Sequence, residues 1–224
     1  MNLPVFDRFR ELVGWFQDFL PHRFDRGRIE TFEALTEFID SRSAFVSQKS
    51  LYGYLKTRMG TRYPELFQDD VFVASINFAK WQVYSACLSD LAIFTAAHCA
   101  AETGLDDSDT QRLALASIEQ IVAQSFAAPE AAETRDRVVP EFLQRMKTID
   151  WSRMADRDAA FSVSPVELVR AAPVTDEFKV DDSEIVMNSI RFRWRDIREG
   201  WRKRADAQAI VSDWRARGPA GEAP

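Results

Sequence analysis

Residues 69–104 read DDVFVASINFAKWQVYSACLSDLAIFTAAHCAAETG, with neither proline nor glycine between the opening acids and the closing glycine. Asp69 or Asp70 can cap a helix by accepting orphan backbone N–H groups, and Gly104 suits the left-handed residue that ends one. A helix of this length spans roughly 50 Å at about 1.5 Å per residue. It is apolar almost all round, which is the pattern of a helix buried on every side. The rest of the chain must therefore supply its cover.

Helical periodicity supplies that cover. Residues 3–20 place Val5, Phe9, Leu12, Phe16 and Leu20 on one stripe and leave Phe6, Trp15 and Phe19 on another, where they offer a partner surface. A second helix runs from about Glu30 to Met59, with Thr31 as its cap and Gly60 as its stop. After a loop over 61–70, where Pro64 holds Tyr63 out of the helical region, comes the long helix. A fourth follows from a cap at Asp107 or Ser108, and a fifth over 130–149, with Pro140 at its start or kinking it. Residues 151–180 are the least regular, and VTDEFKVDD reads as extended. A sixth begins near Asp182 or Ser183, where Val186, Ile190, Trp194, Ile197 and Trp201 recur at helical spacing. No segment alternates like a strand. The expected fold is all-α: a multi-helix bundle around a central buried helix of about 70–103, in one domain over 1–205, with 206–224 as a partly disordered tail.

Composition narrows the functional classes. A hydrophobic fraction of 46% with 17 Phe is ample for a core. A net charge of −6 argues against nucleic acid as partner, because that affinity comes largely from neutralising phosphates. Cys87 and Cys99 lie about 18 Å apart on one helix, too far for a disulfide, which fits a reducing compartment. Lys80 and Asp90 interrupt the only stretch long enough to cross a membrane, so no transmembrane segment is expected. The P-loop, the Rossmann glycine motif, the nucleophile elbow and the metal-binding His and Cys motifs are all absent from the sequence; no cofactor and no metal are expected.

Two polar stripes run along the long helix at 100° per residue. Asn77, Lys80, Tyr84, Thr95 and His98 share one. Ser75, Gln82, Ser85 and Ser89 lie nearly opposite, and Ser75, Gln82, Ser89 and Ala96, at a spacing of seven, mark a seam for a closely approaching helix. Asp90 lies on a flank. Each buried charge needs a partner or a wet pocket. In sequence, Arg58 and Arg62 are the nearest partners for Asp90, or for Asp69 and Asp70. Arg58, Arg62, Tyr63, Lys80, Tyr84 and Asp90 therefore form the candidate ligand set, for a small anion or a partner peptide. The basic run IRFRWRDIREGWRKR near the C-terminus is read as core tryptophans flanked by arginines that serve the chain's own carboxylates.

The run SLYGYLKTRMGTRYPELFQDDVFVASINFAKWQVYSACLSDLAIF (50–94) resembles an uncharacterised helical family from alphaproteobacteria, some of whose members are labelled "esterase". The likeness covers roughly the first 100 residues. It implies a bacterial, cytoplasmic, helical protein, and carries no catalytic residues onto this chain. The label implies a nucleophile with a nearby base. The region offers Ser47, Ser50, Ser75, Ser85 and Ser89, with His98 about 14 Å from Ser89 along a common helix, and no triad is visible. The leading functional expectation is a helical protein acting through protein–protein contact, as adaptor, assembly factor or regulator, with a protein partner or a homo-oligomer. The alternatives are a hydrolase or small anionic-ligand binder at the Arg/Tyr/Lys cluster, and a peripheral membrane protein.

Overall fold

The computed structural model describes residues 27–60, 68–156 and 158–218. The aromatic segment 3–20, with Phe6, Trp15 and Phe19, lies outside them, as do Arg62 and Tyr63. Among the described residues the chain forms eight helices and no strand: α1 (Phe32–Met59), α2 (Asp70–Thr103), α3 (Asp107–Ser125), α4 (Ala132–Met146), α5 (Trp151–Met154), α6 (Val163–Ala171), α7 (Asp176–Arg204) and α8 (Ala207–Ala216). The fold is an all-α bundle.

α2 is the axis of the bundle and packs against α1, α3, α4, α5, α6 and α8. Its ends obey local chemistry. The Asp69 carboxylate accepts from the N–H groups of Val71 (2.9 Å) and Phe72 (3.3 Å). Gly104 takes φ +73° and donates its N–H to the Ala100 carbonyl at 2.8 Å. Between them Leu88, Leu91, Ala92, Ile93 and Phe94 are wholly inaccessible. α2 is also long and apolar enough to cross a membrane by length and composition, and 78% of its most apolar window is buried inside the fold.

The Thr31 hydroxyl caps α1 by accepting from the Ala34 N–H, and Gly60 ends it at φ +53°. α7 lies on α6 and α1. Its stripe Val186, Ile190, Trp194, Ile197 and Trp201 is buried throughout, with Trp201 against Phe38 (5.3 Å between ring centroids) and Trp194 against Phe161 (4.8 Å).

Three sequence expectations need correction. VTDEFKVDD is not extended: α7 begins at Asp176, six residues before the expected start. Asp176 and Glu177 in its first turn complement the helix dipole. The turn is also pinned from outside, since Arg58 stacks on Phe178 (4.6 Å to the ring centroid) and binds Asp182. Second, Asp106, not Asp107 or Ser108, caps α3, accepting from the Asp109 N–H at 2.7 Å. Third, residue 206 does not begin a tail. Asp206 caps α8 through the Ala209 N–H (3.0 Å), and Ile210 and Val211 are buried. α8 also clasps the start of α1, because the Asp213 carboxylate accepts from the Phe32 N–H at 2.8 Å. Pro140 sits inside α4, which continues past it although proline removes one helical hydrogen bond.

Candidate functional site

Among the described residues, Arg58, Lys80, Tyr84 and Asp90 of the candidate set do not converge. Arg58 makes a two-pronged contact with Asp182 on α7, which holds that carboxyl below its ordinary range. Tyr84 donates to Asp40 on α1, and Ser125 donates to the other oxygen of the same carboxylate at 2.7 Å. Burial pushes the Tyr84 phenol well above its ordinary value and raises Asp40 as well. Lys80 lies 4.7 Å from the centre of the Trp81 ring.

Asp90 is paired with Arg145 of α4, at 2.8 Å, and not with Arg58. Closeness in sequence misleads here. Asp90 lies twenty residues into α2, about 30 Å from the end at which Arg58 enters. Asp90 is wholly buried. Its two oxygens accept from the Val163 N–H (3.3 Å) and the Ser164 N–H (2.9 Å) at the start of α6. Ser162, in the capping position, makes no side-chain cap bond. The carboxylate of a neighbouring helix therefore satisfies the orphan N–H groups of α6. Burial pushes the Asp90 carboxyl up, against the pull of Arg145 and these donors. Arg145 is further held by the Ser89 hydroxyl and the Ala160 carbonyl, each at 2.7 Å.

The opposite polar stripe is the one that opens outward. Gln82, Ser85 and Ser89 line a groove of about 620 Å³ between α2, α4 and α6. Ala86, Ile118, Val138, Phe142 and Val163 make its apolar surface, and Phe78 stands exposed at one end. From Phe78 to Ser89 it runs eleven residues along α2, about 16 Å. Its charges come from elements that the sequence reading did not connect to α2: Arg137, Glu141 and Arg145 on α4, Glu167 and Arg170 on α6. The usable signal was the four-residue spacing of Arg137, Glu141 and Arg145, which puts all three on one helix face.

Every arginine of the groove is matched within the chain. Arg137 binds Glu141 (2.9 Å) and reaches Gln82 (3.3 Å); Arg170 holds Glu167 (2.7 Å); Arg145 holds Asp90. The groove thus has little uncompensated positive charge to offer a small anion. A second opening of about 520 Å³, between α1, α3 and α8, follows the same rule: Arg112 and Arg215 both meet Asp109, and Arg217 meets Asp213.

His98 packs between Phe94 and Trp201, at 6.1 Å from each ring, and no hydrogen bond among the described residues joins it to a serine. Ser47 and Ser75 donate to their own helix backbones. Among the described residues no three His, Cys, Asp or Glu gather into a cluster able to hold a metal ion.

Lys80 yields a testable consequence. Burial lowers its amine from the ordinary 10.5 to about 8, partly offset by Glu130. The folded state thus penalises the charged form below pH 8, and that penalty is relieved as pH rises from about 8 to 10.5. Lys80→Met is expected to raise stability at pH 7 by about 1–2 kcal/mol, after allowing for the lost contact with Trp81. The gain should shrink towards zero by about pH 10.5. Urea unfolding of both proteins across this range measures it; a gain independent of pH would contradict the assignment.

Comparison with protein-family models, with curated proteins and with solved structures gives no match to this chain.

Proposed function

We propose that the protein acts by protein–protein contact, holding an amphipathic helical segment of a partner in the groove between α2, α4 and α6. The observation that carries this reading is the combination of an apolar surface with walls whose charges are already paired. A small anion would have to compete with Glu141, Glu167 and Asp90 for the arginines. A helix that lays an apolar stripe along the groove needs no such exchange, and helix-in-groove recognition takes its affinity from apolar anchors. About 16 Å of α2 matches three turns of helix. Phe78 on α2 and Val163 on α6, 42% and 37% exposed, are lining residues whose apolar surface solvent reaches.

The test is a photo-cross-linking residue at position 144, an exposed residue that lines the groove, in the native host, with the attached peptide sequenced. The expected product is one partner segment with apolar residues at helical spacing, lost when Phe78→Glu is introduced. Capture that survives Phe78→Glu, or cross-links scattered over unrelated peptides, would reject the groove as the contact.

A further inference from the structure

α7 shows solvent a second apolar feature, and none of its residues lines the groove. Phe178, Ile185 and Phe192 are 40%, 72% and 57% exposed. Their spacing of seven residues is nearly two helical turns, drifting about 20° each time, so the three side chains form one stripe roughly 40° wide and 21 Å long. It lies outside the buried face of Val186, Ile190 and Trp194. Val180, also exposed, points elsewhere.

The charges beside the stripe lean acidic along its first half and basic along its second, where Asp196, exposed one turn after Phe192, pairs with Arg195 at 3.6 Å. Glu177, Asp181 and Glu184 follow it along the first half of α7, and Arg191 and Arg195 lie on the same flank of the second half, all of them exposed. Arg195 covers Phe192 at 4.2 Å. Ile185 is the midpoint, seven residues from each phenylalanine. A twofold axis through Ile185 therefore sets Phe178 of one copy against Phe192 of the other. It also brings Glu177 and Asp181 beside Arg195 and Arg191. An isologous contact needs this kind of self-complementary patch.

We infer that the protein pairs with a second copy of itself through this stripe of α7, antiparallel and centred on Ile185. The contact is small beside the roughly 800 Å² per partner of a standard interface, so association in the micromolar range is expected.

Sedimentation velocity on the full chain, from low to high micromolar, tests the pairing. The wild type is expected to shift from monomer to dimer, and Ile185→Glu to remain monomeric. Two charge-reversed proteins, Glu177→Lys/Asp181→Lys and Arg191→Glu/Arg195→Glu, should each associate about tenfold more weakly or worse. Mixed together they should recover the dimer, because each then meets its opposite. All the altered residues are exposed, and circular dichroism checks that each variant is folded. A wild type that stays monomeric throughout, as it would if residues 1–26 or another protein covered the stripe, overturns the proposal. So does a dimer indifferent to Ile185→Glu, or a mixture that fails to associate.

Discussion

Asp90→Ala is expected to lower the unfolding free energy by about 4 kcal/mol, because it removes one partner from a buried ion pair. Asp90 is inaccessible, and the Arg145 side chain is 15% exposed. The variant leaves a guanidinium without its carboxylate, and two N–H groups at the start of α6 without acceptors. The double variant Asp90→Ala/Arg145→Met should recover about 2 kcal/mol of that loss, since it removes the stranded charge while the orphan N–H groups remain. Arg145 also ties down the Ala160 carbonyl, so full recovery is not expected. Urea unfolding followed by tryptophan fluorescence measures all three proteins. A single-variant cost below about 1 kcal/mol, or a double variant less stable than Asp90→Ala, would mean that the pair does not hold α6 in place.

What the sequence disclosed about this pair, and what it hid, follows from which physics is local. The caps at Asp69, Thr31 and Gly104, and the buried stripe from Val186 to Trp201, depend on spacing within one helix, and spacing can be read from a string. That Asp90 needs a partner was equally legible, because a charge amid Cys87, Leu88, Leu91 and Ile93 cannot stand alone. Which partner was not legible. Arg145 lies 55 residues away and reaches Asp90 only because α4 packs along the Gln82–Ser89 side of α2. The seam expected there does carry a neighbouring helix: Gln82 donates to Thr134 at 2.9 Å, and Ser89 accepts from Arg145. The small residues of the seam were readable, but the arginines of the facing helix were not assigned to it. The start of α7 was missed for a similar reason. Its first turn is held by Tyr54 and Arg58, both on α1, and a window centred on residue 178 contains neither.

Trp194→Ala is the second large effect, at about 4 kcal/mol. The indole is fully buried against Phe161, and its N–H donates to the Ser164 hydroxyl at 3.0 Å. Trp194→Phe keeps most of the volume and loses that hydrogen bond, so about 1–2 kcal/mol is expected. Phe192→Ala, only two residues away, should change monomer stability by less than about 0.5 kcal/mol, because that ring faces solvent. Severe loss at Phe192 with tolerance at Trp194 would reverse the face of α7 assigned to the core. The Trp194 variant also probes Asp90. Ser164 receives the indole N–H on its hydroxyl and gives its backbone N–H to Asp90, so both residues fix the first turn of α6. Once either is gone, that turn is already loosened. Trp194→Ala and Asp90→Ala together should therefore cost less than the sum of the separate losses, by about 1 kcal/mol or more. Strict additivity would mean that the two residues support α6 independently and that Ser164 does not link the core of α7 to the wall of the groove.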